Sequence, residues 1–211
     1  LWQWNFDQDQ LGRLPAGFVS LDRHDGETAA WQVQADPEGA SGMSRRLVRS
    51  AACSTPDCVR LLVVDGVRTT YPDVTLQVRA PSVSDQSEAG IAIAVTDRNS
   101  YYAITLQPTT GLVTTRRVTN GVATLLGQIT TKLSPKSWHT IRVQRIHFLH
   151  LDKGRLAVFI DGAQVAAVDD TVLPQEGQVG LIALGSADAQ FDGLHILELV
   201  SNRTFSKPAA Y

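Results

Sequence analysis

Gly90–Leu106 reads GIAIAVTDRNSYYAITL, two alternating apolar runs on either side of the polar tetrad Asp97-Arg98-Asn99-Ser100. Alternation at period two puts one set of side chains on each face of a strand, so this stretch predicts a β-hairpin with a polar tip and a buried face on each arm. The same texture returns at Trp138–Val143, at Arg155–Gly162 (RLAVFIDG) and across Gly177–Leu197, where GQVGLIAL is followed by FDGLHIL. No stretch sustains the i, i+3, i+4, i+7 pattern of an amphipathic helix, and no repeat of fixed period is present. The expectation is an all-β domain.

Working outward from the hairpin, strands are expected at Val74–Ala80, Gly111–Thr119, Ala123–Thr130, His139–Arg145, Leu156–Asp161, Ala163–Val168, Gly177–Ala183 and Phe191–Leu199. Asn120-Gly121 and Asp161-Gly162 are the strongest turn signals, because a two-residue type I′ turn needs positive φ at both central positions. Toward the N-terminus, Leu1–Asp7 (LWQWNFD) alternates Trp2, Trp4 and Phe6 with polar residues and reads as an early strand. Trp31–Val33, Leu47–Arg49 and Arg60–Val64 read as short strands among long loops, and Ile146–Gly154 reads as an insertion between two strands. One domain over residues 1–200 and a polar tail over 201–211 complete the organisation.

The 211 residues suit one large β-sandwich, since such domains run to about 200–250 residues. The 43% apolar and 19% charged content belongs to a globular chain with a sizeable core. A formal net charge of −2 gives no positive field for a phosphate backbone, which argues against a nucleic-acid partner. The apolar runs are strand-sized, far short of the roughly 20 residues of a spanning helix, so no membrane span is expected. The chain opens at Leu1 rather than Met, which implies a processed product. Cys53 and Cys58 flank a Pro-containing turn, ACSTPDC, that suits a local disulfide, with reduced thiols as the alternative. Two thiolates alone do not complete a zinc site, and an oxidised pair fits a secreted, periplasmic or cell-surface location.

The order of motifs is more informative than any one of them. The hairpin ending in Tyr101-Tyr102 is followed by Trp138-His139 opening a strand and by Phe159-Ile160-Asp161-Gly162 closing one. Gly177-Gln178-Val179-Gly180-Leu181 then precedes a last strand opening Phe191-Asp192-Gly193. Over about Trp2 to Leu199 this order resembles the concanavalin A-like, laminin G-like jelly roll. In particular it is similar to bacterial exported domains of the 3-keto-disaccharide hydrolase type. The resemblance implies two curved antiparallel sheets packed face to face, with a concave face that often binds glycans. It also implies a structural calcium held by an Asp near the start of the last strand, the position of Asp192, with backbone carbonyls completing the shell. The competing role for Asp192 is that of a turn residue accepting backbone N–H bonds.

Alternation sorts the candidate ligand-binding residues. Val74, Leu76 and Val78 form a core set that leaves Gln77 and Arg79 on the other face, and Ile141 and Val143 likewise leave Arg142 and Gln144. Tyr102, Ile104 and Leu106 leave Tyr101 with Ala103, Thr105 and Gln107. Tyr101, Arg79, Gln77, Arg142 and Gln144 on one sheet face would offer a ring for the C–H face of a pyranose and planar groups for its hydroxyls. The plainer alternative is an ordinary solvated sheet face.

Asp161, Asp169, Asp170 and Asp188 read as turn or loop residues, His147 and His150 as surface residues of the insertion, and His139 and His195 as strand residues. The five glutamates, Glu27, Glu38, Glu88, Glu176 and Glu198, are too far apart to form the E-x-D-x-x-E strand of jelly-roll glucanases. No G-x-S-x-G elbow, phosphate loop or dinucleotide fingerprint is present. The reading is a non-catalytic extracellular or cell-envelope binding module for glycan or another extracellular ligand. A 3-keto-glycoside hydrolase or lyase, or a structural subunit of an envelope assembly, are the alternatives.

Overall fold

The computed structural model describes residues 1–22, 31–38, 44–49, 58–80, 88–134, 136–148, 153–174, 176–185 and 189–199. Its strands are β1 (Trp2–Trp4), β2 (Phe18–Ser20), β3 (Trp31–Ala35), β4 (Arg45–Arg49), β5 (Val59–Thr69), β6 (Pro72–Arg79), β7 (Glu88–Asp97) and β8 (Ser100–Gln107). They continue as β9 (Leu112–Thr119), β10 (Val122–Thr130), β11 (His139–Phe148), β12 (Lys153–Ile160), β13 (Ala163–Asp169), β14 (Gly177–Leu184) and β15 (Gln190–Glu198). Among the described residues there is no helix.

The strands form two sheets. The eight-stranded sheet runs β13-β12-β11-β6-β15-β4-β3, with β1 paired to β15, and the seven-stranded sheet runs β10-β9-β8-β7-β14-β5-β2. The pairings between named strands are antiparallel. The architecture is an all-β, two-sheet jelly-roll sandwich, as the alternation of the sequence requires.

The core lies between the inner faces. Val74, Leu76 and Val78 of β6, Ile141 and Val143 of β11, and Leu194 and Ile196 of β15 meet Ile91 and Ile93 of β7, Tyr102, Ile104 and Leu106 of β8, and Leu181 of β14. Each such aliphatic side chain contributes roughly 1.5–3 kcal/mol by leaving water. Trp4 packs edge-on against Phe18 with ring centroids 5.5 Å apart, so the N-terminal strand is tied to the core. Asn120 and Gly121 adopt φ of 50° and 83°, and Asp161 and Gly162 adopt 48° and 84°, the left-handed pairs that type I′ hairpins need.

Three expectations are corrected. The insertion read at Ile146–Gly154 is largely strand: β11 and β12 stay in register to the pair Phe148 and Lys153, because Arg145, Ile146 and His147 continue to face Leu156, Arg155 and Gly154. The short strand read at Arg60–Val64 runs to Thr69, because β14 pairs with it along that length through a bulge. Phe18–Ser20, for which no strand was expected, is an edge strand on β5. Cys58 is buried. Its expected partner Cys53 lies outside the described residues, as do His150, Asp188 and residues 201–211.

Candidate functional site

The two sheets separate residues that alternation had grouped together. Gln77 and Arg79 lie on β6, and Arg142 and Gln144 lie on the adjacent β11, so these four share the outer face of the eight-stranded sheet. Tyr101 lies on β8 of the other sheet and is 1% exposed. It is therefore no accessible ring beside the other four. The alternation rule assigned its face correctly within its own strand but carried no information about which sheet that strand joins.

The other four residues are heavily engaged. Arg142 donates from Nε to Asp73 Oδ1 at 2.7 Å and from Nη2 to Oδ2 at 2.5 Å, while Gln144 Nε2 donates to the same carboxylate at 2.8 Å. Burial pushes the Asp73 carboxyl up, but those bonds and the Arg142 charge outweigh it and hold it below the usual carboxylate range. The guanidinium also sits 5.3 Å from the Phe159 ring centroid. Arg79 is buried beneath its partners: Nε to Gln190 at 2.7 Å, Nη1 to Glu38 at 2.7 Å and Nη2 to Asp36 at 3.2 Å, with Trp138 stacked at 4.5 Å. Gln77 is exposed between Thr140 and Asp192.

Asp192 stands on β15 and accepts the Gly193 N–H at 2.7 Å. Burial pushes its carboxyl up to about 6, and the Asp7 and Asp36 charges add to the rise. A half-buried carboxylate facing charges of its own sign suits a bound cation. Among the described residues, however, no three Asp, Glu, His or Cys side chains converge as a ligand set. Any ion here would draw most of its oxygens from backbone carbonyls and water.

The expected loop and strand residues have structural roles. Asp161 accepts the Thr140 N–H at 2.8 Å and contacts His139 Nδ1 at 2.8 Å, and the other ring nitrogen of His139 faces the Ser134 carbonyl at 2.9 Å. Asp169 holds Arg155 through two bonds. Asp170 accepts the Tyr102 hydroxyl at 2.6 Å, the Val172 N–H at 3.0 Å and a charged bond from Arg117. His195 is exposed on β15, and His147 lies near the end of β11.

The outer face of the seven-stranded sheet carries a different arrangement. In one row Thr114, Thr105, Gly90 and Ile182 lie opposite one another across β9, β8, β7 and β14; in the next, Arg116, Ala103, Ala92 and Gly180 do so. The middle of this face is therefore floored by Gly90, Ala92, Ala103 and Gly180, all with minimal side chains. A Cβ built on Gly90 would lie 2.0 Å from the Ile104 carbonyl oxygen, so close approach of β8 admits only glycine there.

Beside this floor stands a polar cluster. Arg116 grips Glu88 with both terminal nitrogens, at 2.6 and 3.0 Å, and the Thr105 hydroxyl donates to the same carboxylate at 2.5 Å. Burial pushes Glu88 up, but the Arg116 and Thr105 hydrogen bonds and the Arg116 charge more than compensate, and it titrates below its ordinary value. The side chains of Arg116 and Glu88 remain 24% and 19% exposed, enough for a ligand to reach both. The neighbouring Thr114 hydroxyl is buried and has no hydrogen-bond partner among the described residues. On the other side of the floor lie Tyr101, Val95, Val118, Leu61, Val63 and Ile182, a second buried apolar cluster. Sequence reading overlooked Glu88 and Arg116, because a carboxylate and a guanidinium 28 residues apart give no motif until β7 and β9 flank β8.

The face thus presents one partly exposed, mutually neutralised carboxylate and guanidinium pair, beside small side chains that are buried together with the apolar cluster. Such a surface can bind a polyhydroxylated ligand without net charge. No helix among the described residues is long and apolar enough to cross a membrane.

No protein-family model matches the sequence, and no curated protein matches it. Solved structures do resemble it. The carbohydrate-binding module CBM66 from Bacillus subtilis superposes with a TM-score of 0.62 at 14% identity, over 85% of this chain and 94% of that one. Domain 4 of AbnA, an extracellular arabinanase of Geobacillus stearothermophilus, determined in complex with arabinotriose, gives 0.60 at 13% identity over 93% of this chain and 90% of that one. A beta-1,3-glucanase from Mycobacterium marinum gives 0.56 at 13% identity over 93% and 98%. At these identities the likeness is one of fold, and with the two sheets and their strand order it identifies the chain as a concanavalin A-like jelly-roll sandwich.

Proposed function

We propose that this chain is an exported, non-catalytic glycan-binding module whose ligand lies on the outer face of the seven-stranded sheet. The observation that carries the reading is the Glu88–Arg116–Thr105 cluster bordering the floor of Gly90, Ala92, Ala103 and Gly180. Paired carboxylate and guanidinium groups, both partly exposed, present fixed acceptors and donors to vicinal hydroxyls. The names of CBM66 and of the arabinotriose complex support the same ligand class. A hydrolase of the usual glycosidase type needs two carboxyl groups about 5–9.5 Å apart. Glu88 is held by Arg116 and Thr105, and no second carboxylate among the described residues is a hydrogen-bond partner of that cluster, which favours binding over turnover.

A glycan-array screen of the purified chain, with and without calcium, tests the proposal. Saturable binding is expected, weakened at least tenfold in Arg116→Ala and reduced in Glu88→Gln, with unchanged circular dichroism. No saturable glycan, or binding indifferent to Arg116→Ala, overturns it. Turnover of a 3-keto-glycoside would establish the hydrolase or lyase reading instead, and isolation in a stoichiometric protein complex would establish the structural one.

Two supports of the fold are proposed alongside. Asp192 anchors a structural calcium together with carbonyl oxygens, so a chelator is expected to lower the melting temperature and Asp192→Ala to remove that response. Cys53 and Cys58 form a disulfide, so both thiols should stay silent to a thiol reagent until the chain is reduced.

A further inference from the structure

The β7–β8 and β9–β10 hairpins turn side by side at one end of the seven-stranded sheet, and their tips touch. The Gly121 N–H donates to the Asn99 carbonyl at 2.8 Å, and the Asn120 N–H donates to Ser100 Oγ at 3.3 Å. Asn99 is itself fixed, because its own N–H donates to Asp97 Oδ1 at 2.6 Å. Asn120 is exposed at the first position of its two-residue turn, with φ of 50° followed by 83° at Gly121. The chain has four asparagines, Asn5, Asn99, Asn120 and Asn202, and of these Asn120 alone precedes a glycine.

We propose that Asn120 is a latent deamidation site, kept closed by the contact between the two hairpin tips. The inference rests on the turn and not on the glycan reading. The reaction needs only water as co-reactant. Hydroxide removes the Gly121 amide proton, the bared nitrogen attacks the side-chain carbonyl carbon of Asn120, and the side-chain nitrogen leaves as ammonia after taking a proton from water. Water then opens the resulting cyclic imide at either carbonyl, leaving aspartate or isoaspartate. Glycine hinders this least of all residues, since it brings no Cβ to the attacking nitrogen. In this fold, however, the proton to be removed is held by the Asn99 carbonyl, and the turn fixes both residues at left-handed φ. Reaction therefore waits for the tip contact to open, and its rate follows the population of that local opening. The product matters to the sheet. Isoaspartate lengthens the main chain of a two-residue loop whose geometry sets the β9–β10 register, and either product adds a carboxylate next to the tip that carries Asp97. Arg116 lies on that hairpin, opposite Leu125 at the fourth pair from the turn.

Peptide mapping by mass spectrometry tests this, following the Asn120 peptide of the full chain at mildly alkaline pH with and without urea. In urea Asn120 is expected to react ahead of Asn5, Asn99 and Asn202, and in the native chain it should react at least about tenfold more slowly than in urea. Asp97→Ala releases Asn99, and Ser100→Ala releases the Asn120 N–H. Each should quicken the native reaction about three- to tenfold, the worth of one hydrogen bond, and leave the rate in urea unchanged. Neither side chain belongs to the apolar core, so both variants are expected to fold, which circular dichroism checks. Asp73→Asn, on the other sheet, should leave the native rate at Asn120 unchanged. A native rate equal to that in urea overturns the proposal. So does a native rate that neither tip variant raises, or one that Asp73→Asn raises as much as they do.

Discussion

Removing one hydroxyl from the middle of the sandwich should cost a predictable amount and give a distinctive pH dependence. Tyr102 is fully buried on β8, where its hydroxyl donates to Asp170 at 2.6 Å and accepts the Leu173 N–H at 3.3 Å. Arg145 stacks 5.4 Å from its ring and donates to the Leu173 and Pro174 carbonyls, so the whole group ties the β13–β14 connection to the core. A hydrogen bond to a charged acceptor is worth about 1.5–3 kcal/mol net. Burial first, and the hydrogen bond to Asp170 second, raise the phenol from 10.0 to about 12. Tyr102→Phe keeps the ring and the Arg145 stack, so it should lose about 2–3 kcal/mol, or roughly 5–10 °C of melting temperature in a chain of this size. The native state binds the proton more tightly than the unfolded chain. The stabilisation is therefore complete below pH 10 and lost as pH rises toward 12. Urea melts of both proteins at pH 8 and near pH 11.5 should show the stability gap narrowing at the higher pH. A gap that is absent at pH 8, or equal at both, would refute the assignment.

The remaining predictions concern the two outer faces. Gly90→Ala places a methyl against the Ile104 carbonyl, and since both clashing partners are backbone it should cost about 3 kcal/mol or more, read as a lower urea midpoint. Asp73→Asn leaves Arg142 without its carboxylate, and because the pair is partly exposed the loss should be only about 1 kcal/mol at neutral pH. The folded Asp73 pKa is depressed, so that contribution is present above about 3.8 and lost as pH falls through the lower folded value. The mutant's deficit should accordingly shrink in acid.

Much of the fold was legible in the chain because alternation survives in almost every regular strand. The turns at Asn120-Gly121 and Asp161-Gly162 were legible for the same kind of reason, a local φ requirement. What the chain concealed was non-local. Tyr101 and Arg142 both sit on outward positions of their strands, yet β8 and β11 join different sheets, and nothing in either strand says so. Arg117 and Arg145 face inward, against the expectation for a charged residue, because Asp170 and the carbonyls at Leu173 and Pro174 satisfy them there. Those partners lie 53, 28 and 29 residues away in sequence, beyond any motif.

The same pairing logic distinguishes the two outer faces as ligand surfaces. On the eight-stranded sheet the planar groups already answer one another: Arg142 and Gln144 with Asp73, Arg155 with Asp169, and Arg79 with Gln190, Glu38 and Asp36. A ligand there would have to break charged bonds for each one it makes. On the seven-stranded sheet Glu88 and Arg116 are also paired, but their partly exposed edges adjoin a floor of glycine and alanine and a Thr114 hydroxyl with no partner among the described residues. Bringing a sugar hydroxyl to the exposed edges of Glu88 and Arg116 adds hydrogen bonds to a pair that stays intact. The balance between bonds broken and bonds gained therefore favours this face, and it makes Arg116 the residue whose loss a bound glycan would register first.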